Sequence, residues 1–326
     1  MQVACEHCGR VYESKLTRSG GLDRCSKCDK LNVFLPNGEM NYVIFGDYII
    51  HEKIGQGGNA YVVKGKHLAS NNIIAMKLFY NKPEDEKNPE EFISEIDGAS
   101  QLVHENIVRI YGGGEKDGVL FIAMEYVDGL NLAEYLDFYG PMPAEDAMAV
   151  AIHICYALDY VWSNFLMIHR DVKPQNIMIT REGNVKLCDF GLVSDHEMAV
   201  VDDDQVLGTP YYVSPEMVGD SDYQDNRSDL YSLGATLYHI ISGQLPFSSG
   251  NLNEILTARV ENPPPKLDFV VTRLPDGLSQ VVEVLMAVDP DGRYVTSTEA
   301  AEDLLLVRDG GRPRLVDDSR VRSNEG

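Results

Sequence analysis

Residues 169–176 read His-Arg-Asp-Val-Lys-Pro-Gln-Asn, and thirteen residues after Asn176 the chain reads Asp-Phe-Gly at positions 189–191. These two stretches are the decisive motif of the sequence. Further along the chain, three more signals follow in order. They are Ser-Pro-Glu at 214–216, Asp229 within Ser-Asp-Leu-Tyr-Ser, and Arg293 within Asp-Pro-Asp-Gly-Arg. A chance occurrence of all of them in one chain is negligible.

A glycine-containing stretch precedes this motif at residues 54–62 and fits G-x-G-x-x-A-x-V, with Ala60 in the third glycine position. Such a turn brings backbone N–H groups close to phosphate oxygens, but glycine pairs also occur in ordinary hairpins. Lys77 follows on the next predicted strand, where a lysine can reach the α- and β-phosphates of a nucleotide. A lone lysine is usually a solvated surface charge. Glu95, in a predicted helix, is placed to pair with Lys77.

With these motifs in this order, the chain resembles a eukaryotic-type (Hanks-type) protein kinase from about Gly46 to Arg308. The relaxed third glycine is common in bacterial members, and Ser214 replaces the usual alanine before Pro-Glu. The resemblance implies an α+β, bilobal kinase fold with a small β-rich N-lobe and a large helical C-lobe. It also implies that Asp229 and a Glu216–Arg293 pair hold the activation segment and the large lobe in place.

The resemblance further implies roles for single residues. Asp171 orients the substrate hydroxyl and accepts its proton, Lys173 steadies the γ-phosphate and marks serine/threonine specificity, and Asn176 and Asp189 bind Mg²⁺ or Mn²⁺. Met124 guards the back of the adenine pocket, followed by a hinge at 125–127. The implied ATP-binding residues are Ile54, Gly55, Gln56, Gly57, Gly58, Asn59, Ala60, Val62, Ala75, Lys77, Glu95, Met124, Glu125, Val127 and Met178.

Two classes of function fit this family pattern: an active serine/threonine kinase, and a kinase-fold scaffold or nucleotide-binding pseudokinase. The fold alone does not separate them. Inactive relatives usually lose the equivalent of Lys77, Asp171 or Asp189, and all three are present here. The sequence therefore predicts an ATP-dependent kinase acting on proteins.

Four cysteines near the N-terminus form two C-x2-C pairs separated by sixteen residues: Cys5, Cys8, Cys25 and Cys28. Four thiolates complete a tetrahedral Zn²⁺ site with no open position for a substrate, so the spacing predicts structural zinc. The segment resembles a zinc ribbon, which we expect to act as a protein docking surface. The alternative is two disulfides in an extracellular domain. The remaining cysteines, Cys155 and Cys188, are predicted to be buried thiols.

Pattern and composition divide the chain into a zinc module at 1–35, a linker at 36–45, a kinase domain at 46–308 and a polar tail at 309–326. Strands are predicted around 48–50, 61–66 and 73–79. Long helices are predicted over 143–164 and 225–242.

Charge and hydropathy set the expected partners. The net charge is −23; residues 1–35 contribute +2 (six Lys/Arg and four Asp/Glu), which leaves −25 on the rest. Nucleic acid is therefore an improbable partner, even for the zinc module, and basic protein substrates fit better. No apolar run approaches the roughly 20 residues of a membrane helix. The first ten residues lack the apolar stretch of a signal peptide, so a cytoplasmic location is expected.

The segment after residue 191 carries a hypothesis about regulation. Residues 195–207 contain no serine, threonine or tyrosine, and Asp202, Asp203 and Asp204 lie where a phosphorylation site is common. These carboxylates could pair with Arg170 and order the segment without phosphorylation. Equally, the run could be a solvated acidic loop that attracts basic substrates.

Overall fold

The part of the chain that the computed structural model describes comprises residues 2–5, 8–14, 21–28, 31–34, 43–57, 60–79, 89–190, 211–218, 224–248 and 252–314. Its backbone contacts separate the chain into two units. The N-terminal unit takes residues 1–103 and 109–127, and the C-terminal unit takes residues 104–108 and 128–326.

Within its described residues, the N-terminal unit consists mainly of strands and contains one helix. The strands are β1 (Gln2–Ala4), β2 (Val11–Glu13), β3 (Gly21–Arg24), β4 (Leu31–Phe34), β5 (Val43–Phe45), β6 (Tyr48–Gln56), β7 (Ala60–His67), β8 (Ile73–Phe79), β9 (Ile110–Lys116) and β10 (Val119–Glu125); the helix is α1 (Pro89–Ser100).

The C-terminal unit is mainly helical in the part that the structure describes, to which the following bounds refer. Its helices are α2 (Leu132–Tyr139), α3 (Ala144–Phe165), α4 (Pro215–Val218), α5 (Asn226–Ser242), α6 (Leu252–Glu261), α7 (Leu267–Val270), α8 (Leu278–Leu285) and α9 (Ser297–Arg308). Its strands β11 (Gly129–Asn131), β12 (Ile177–Thr180) and β13 (Val185–Leu187) form a three-stranded sheet in sequence order.

Six antiparallel strands of the N-terminal unit form one sheet in the order β5-β6-β7-β8-β10-β9. The three strands predicted from alternating residues lie in it as β6, β7 and β8, and β6 extends beyond the prediction to Gln56. The edge strand β5 falls within the predicted linker 36–45, and it pairs with β6 through Val43↔Ile50. The predicted domain boundaries themselves stay predictions.

The register of this sheet sorts its residues into two faces. Lys77 lies opposite Val62 on one side and Ile122 on the other, whereas Met76 lies opposite Val63 and Ala123. Because side chains alternate along a strand and paired residues share a face, two sets result. The front face carries Ala60, Val62, Ala75, Lys77, Ile122 and Met124. The back face carries Tyr61, Val63, Ile74, Met76, Leu78 and Phe121.

The two long helices α3 and α5 form the centre of the C-terminal unit. Their bounds are close to the predicted ones, 143–164 and 225–242. Along α5 nearly every side chain is buried. The helix begins after Asp225, whose carboxylate accepts the N–H of Arg227, and it ends at Gly243 with a φ of 70°, a left-handed conformation that suits glycine. Gly234 lets α5 approach the end of α8, because a Cβ there would lie 2.7 Å from Leu285 Cβ.

The chain beyond α9 stays against the C-terminal unit as far as it is described. The N–H of Gly311 donates to the carbonyl of Leu306 at 2.8 Å, and the N–H of Arg314 donates to the Asp303 carboxylate at 2.8 Å. Residues 309–314 of the predicted tail are thus anchored by backbone hydrogen bonds. Among the helices of the described residues, none is both long enough and apolar enough to cross a membrane.

Candidate active site and metal centre

The loop at 169–176 is held by a carboxylate from α5. Asp229 is buried, and its two oxygens accept the backbone N–H groups of His169 at 2.6 Å and of Arg170 at 2.8 Å. Burial raises the pKa of Asp229, and these two N–H groups counteract the rise by stabilising the ionised form. Arg170 adopts a φ of 68°, a strained backbone for a residue with a Cβ, so the loop needs this support.

The carboxylate of Asp171 is the centre of the loop. Its Oδ2 lies 2.7 Å from Lys173 Nζ and accepts Asn176 Nδ2 at 2.8 Å. Its Oδ1 is buried and has no hydrogen-bond partner within the described residues. A cation and an amide therefore orient one oxygen while the other remains available as an acceptor. This matches the geometry that a base needs beside an incoming hydroxyl.

His169 joins this loop to the Asp-Phe-Gly stretch. Its Nδ1 accepts the N–H of Asp171 at 3.2 Å, so the proton lies on Nε2, which donates to the carbonyl of Cys188 at 2.9 Å. Its ring also meets the ring of Phe190 edge to face, with the centroids 4.4 Å apart. These contacts fix the backbone on both sides of Asp189.

Asn176 and Asp189 are the two predicted magnesium ligands. The carbonyl of Asn176 accepts both the N–H of Cys188 at 2.9 Å and the Cys188 thiol at 3.2 Å. Asp189 has a φ of 65°. Asn176 is thus hydrogen-bonded to Cys188, the residue directly before Asp189.

The two cysteines outside the zinc module differ in burial. Cys188 is half-buried, whereas Cys155 is fully buried, and burial raises the pKa of the Cys155 thiol.

The predicted phosphate-binding turn joins β6 to β7. The N–H of Gly57 donates to the carbonyl of Ala60 at 2.9 Å, which closes the turn, and a Cβ at Gly57 would meet nothing within 4 Å. Space above this backbone is therefore open. Gly58 and Asn59 lie outside the described residues, as do Gly191 and the residues 195–207 of the regulatory hypothesis.

Lys77 lies on the front face of the sheet, in the same cross-strand row as Val62 and Ile122. Its Nζ is 5.8 Å from the centroid of the Phe79 ring, and that ring packs edge to face on Phe92 of α1. Helix α1, which carries Glu95, is therefore packed on the lysine-bearing face. Ala75 and Met124 form the next row of this face, so the adenine-pocket residues predicted on β8 and β10 lie beside Lys77.

The remaining residues predicted to bind the nucleotide lie on several strands. They are Ile54, Gly55 and Gln56 on β6, Glu125 on β10, Val127 just beyond it, and Met178 on β12.

Side chains of α5 and α6 hold the segment 211–218 in place. The sequence analysis did not predict these contacts. The hydroxyl of Tyr212 and Nδ1 of His239 on α5 form a hydrogen bond at 2.7 Å. Burial raises the pKa of Tyr212 and lowers that of His239, so both are neutral at pH 7. The fully buried guanidinium of Arg259 on α6 donates to the carbonyl of Val213. The members of these pairs are 27 and 46 residues apart, and none of the motifs found in the sequence includes them.

Glu216 forms the ion pair that the sequence predicts. Arg293 binds it with two nitrogens, at 2.7 and 2.8 Å, and the hydroxyl of Ser228 donates to it at 2.6 Å. Burial alone would raise the pKa of Glu216, but the hydrogen bonds and charge of Arg293 outweigh burial and lower the pKa to about 2. The pair anchors this segment to the body of the C-terminal unit.

A second site lies in the N-terminal unit, where the four cysteines converge. All four Sγ atoms lie within 4.8 Å of one another, with Cys5 and Cys28 at 3.6 Å and Cys8 and Cys25 at 3.9 Å. A disulfide requires about 2.05 Å, and none of the six cysteines forms one. The disulfide alternative is therefore wrong for this structure. The side-chain amide of Asn32 donates to Cys5 Sγ at 3.7 Å, and the N–H of Lys27 donates to Cys25 Sγ at 3.4 Å.

Comparisons with known proteins agree with this geometry. The family model of the protein kinase domain matches residues 48–305. Serine/threonine-protein kinase PrkC of Bacillus subtilis is 31% identical over 271 residues, which are 82% of this chain and 42% of that kinase. Serine/threonine-protein kinase PknB of Mycobacterium tuberculosis is 35% identical over 277 residues, or 82% of this chain and 44% of that kinase. The chain thus spans less than half the length of these two relatives.

A solved structure gives the same result for the fold. The structure of Rad53 1–466 in complex with AMP-PNP superposes with a TM-score of 0.65 and 27% sequence identity, covering 78% of this chain and 64% of that one. The predicted fold class, a β-rich N-lobe followed by a helical C-lobe, is confirmed. With a domain match over most of its length, the chain belongs to the protein kinase family.

Proposed function

We propose that this chain transfers the γ-phosphate of ATP to serine and threonine hydroxyls of proteins. The observation that carries the proposal is the Asp171 carboxylate, with one oxygen held by Lys173 and Asn176 and the other a buried acceptor without a partner within the described residues. The serine/threonine kinases PrkC and PknB support the choice of substrate hydroxyl, since each is similar to more than four fifths of this chain.

Phosphoryl transfer has a loose transition state, so the protein chiefly aligns the reactants and neutralises charge. In the proposed mechanism, Asp171 Oδ1 accepts a hydrogen bond from the substrate hydroxyl and takes its proton as the hydroxyl oxygen bonds to the γ-phosphorus. The bond from that phosphorus to the β–γ bridging oxygen breaks in the same step, and ADP leaves. Lys173, 2.7 Å from the other oxygen, keeps the carboxylate in place and offers a positive charge to the transferring phosphoryl group. Both roles need the loop geometry that Asp229 supports.

The nucleotide is proposed to bind against the front face of the sheet. Lys77 would contact its phosphates, the open turn at Gly57 would bring backbone N–H groups near them, and Val62 and Ala75 would pack on the base. The Rad53 1–466 structure is a complex with AMP-PNP, which supports an adenine nucleotide as ligand. Asn176 and Asp189 supply hard oxygen donors of the kind that Mg²⁺ or Mn²⁺ prefers. That ion, when bound, would neutralise charge on the phosphates.

A phosphotransfer assay tests the proposal. The purified chain is incubated with γ-labelled ATP, Mg²⁺ and a generic basic protein, and the labelled amino acids are separated after hydrolysis. We expect phosphoserine and phosphothreonine, with labelling that requires Mg²⁺ or Mn²⁺. Phosphotyrosine alone would contradict serine/threonine specificity. Nucleotide binding without any labelling would favour the alternative, a pseudokinase or scaffold.

The four-cysteine site is proposed to hold structural Zn²⁺. Four sulfurs at about 2.3 Å from zinc in a tetrahedron lie about 3.8 Å apart, close to the 3.6 and 3.9 Å separations of the two closest pairs. The N–H groups that donate to Cys5 and Cys25 suit thiolate ligands. With four thiolates around it, the ion would have no open position for a substrate, which supports a structural rather than catalytic role.

Metal analysis tests the zinc site separately from the kinase activity. Protein made under reducing conditions should contain one Zn²⁺ per chain, and the double variant Cys5→Ser/Cys8→Ser should contain almost none. Elemental analysis by mass spectrometry measures both. The matched control is Cys155→Ser, a fully buried cysteine outside the cluster, which should keep its zinc. Wild-type protein without zinc would overturn the proposal.

The remaining proposals concern location and partners. Cysteine pairs that form no disulfide are typical of reducing compartments, which supports a cytoplasmic location. The net charge of −23 supports basic protein substrates and argues against nucleic acid. The docking role predicted for the zinc module also stays a proposal.

A further inference from the structure

The hairpin formed by β3 and β4 packs against the back face of the N-terminal sheet. Leu31 is 1% exposed and lies in one apolar cluster with Val43, Phe45 and Ile50, and Leu22 packs on the same cluster. That cluster continues across the sheet through Tyr61, Val63, Ile74, Met76, Leu78 and Val119. The four-cysteine module and the kinase sheet therefore share one hydrophobic core.

The same hairpin carries two of the four cysteines at its turn. Cys25 directly follows β3, Cys28 lies three residues before β4, and Leu31 is the first residue of β4. Asn32, next to Leu31 and fully buried, donates to Cys5 Sγ of the other cysteine pair. The positions that contact the sheet are thus adjacent to those that would hold the metal.

A polar contact reinforces this packing. The guanidinium of Arg24, the residue before Cys25, donates to the carbonyl of Gly118 at 2.9 Å. Gly118 forms the turn between β9 and β10, with a φ of 75°. One side of the cysteine turn is therefore tied to the hairpin whose second strand carries Met124.

Among the described residues of the module, the buried cluster around the cysteines is small. It consists of Cys5, Tyr12 and Cys25, with Cys28 partly buried. Domains below about 40 residues usually need a metal, disulfides or a partner surface to fold. This module has no disulfide among its described residues. The conformation of the β3–β4 hairpin must then come from the metal at one end and the sheet at the other.

We propose that the four-cysteine module is a metal-dependent cover for the back of the nucleotide-binding sheet, so that metal occupancy controls the stability of β8 and β10. Met76 and Leu78, both fully buried on the back face, flank Lys77, which lies on the front face. Loss of the metal frees the cysteine turn, withdraws Leu22 and Leu31, and exposes apolar back-face residues to water. The proposal rests on the zinc site proposed above.

Hydrogen exchange of the full chain, read by mass spectrometry, tests the coupling. In zinc-loaded protein the amides of residues 73–79 and 119–125 should exchange slowly. In Cys5→Ser/Cys8→Ser they should exchange at least about tenfold faster, as expected when large buried side chains lose their packing. Exchange in α5 should not change, which shows that the C-terminal unit remains folded.

Three further variants separate the metal from the packing. Leu31→Ser should keep its zinc yet show the same faster exchange in β8 and β10. Leu22→Ser changes a partly buried position, so its effect on exchange should be smaller. If Leu31→Ser does not fold, Leu22→Ser should still fold and provide the test. Val11→Ser is the matched control, because Val11 is 57% exposed in the same module, and it should change nothing.

The zinc content tells the two proposals apart. Chains that bind zinc but exchange at the same rate after chelation would overturn the coupling and leave the metal site intact. Wild-type protein that contains no zinc would overturn both the zinc site and the coupling.

Discussion

Replacing Asp171 by asparagine should lower kcat for phosphoryl transfer by roughly 10²- to 10⁴-fold, the usual contribution of a positioned general base. Asparagine keeps the size of the side chain, but an amide cannot take up the proton of the hydroxyl. It also removes the charge that holds Lys173 Nζ at 2.7 Å. Nucleotide affinity should change little, because the proposed ATP contacts lie on other residues.

Steady-state kinetics with a serine peptide, together with nucleotide binding by fluorescence, measure the two effects. Asp276→Asn is the control, since this aspartate is exposed and lies outside the proposed site, and it should behave like the wild type. A twofold or smaller loss of kcat in Asp171→Asn would remove Asp171 from the mechanism. Loss of nucleotide binding as well would point to a misfolded loop.

The catalytic loop could be predicted from the sequence because its functional groups are close together in the chain. Asp171, Lys173 and Asn176 lie within six residues, and one local turn brings their side chains to the same carboxylate. The fold class followed from the order of such motifs. The sheet faces were also accessible in principle, since alternation along β8 separates Met76 from Lys77.

Contacts between distant segments that no motif marks could not be predicted in this way. Arg259 has no local pattern that separates it from an exposed helical arginine, yet it is fully buried beneath Val213. Its position depends on how α6 packs, which is a property of the whole C-terminal unit. The hydrogen bond between Tyr212 and His239 could not be predicted for the same reason.

The N-terminal module shows a related difficulty. The sequence analysis places a linker at 36–45 between the zinc module and the kinase domain. In the structure, Leu31 and Val43, on opposite sides of that stretch, belong to one apolar cluster. Short strands with few apolar residues do not show which surface they will cover. Because the module and the sheet share this cluster, we expect the loss of zinc to affect the kinase sheet.

The ion pair between Glu216 and Arg293 should be the most costly polar contact to break in the C-terminal unit. The side chain of Arg293 is fully buried and that of Glu216 is 11% exposed. Arg293 also donates to the carbonyls of Ala287, Arg227 and Val288, so its loss leaves several buried acceptors unsatisfied. Removing one partner of a buried pair commonly costs about 3–5 kcal/mol.

Arg293→Met should therefore lower the free energy of unfolding by about 3–5 kcal/mol, whereas Arg308→Met should cost at most about 1 kcal/mol. Arg308 is the matched control, since it pairs with Asp309 at 3.4 Å with both side chains exposed.

The free energy of unfolding of the wild type should also depend on pH in a defined direction. The folded pKa of Glu216, about 2, lies below its ordinary value of 4.5. Its contribution, about 3 kcal/mol, is therefore complete above pH 4.5 and is lost as the pH falls toward 2. Urea unfolding at pH 7, 4.5 and 3 measures this, and Glu216→Gln should flatten the dependence over that range. Equal losses in the Arg293 and Arg308 variants would show that the buried pair contributes no more than a surface one.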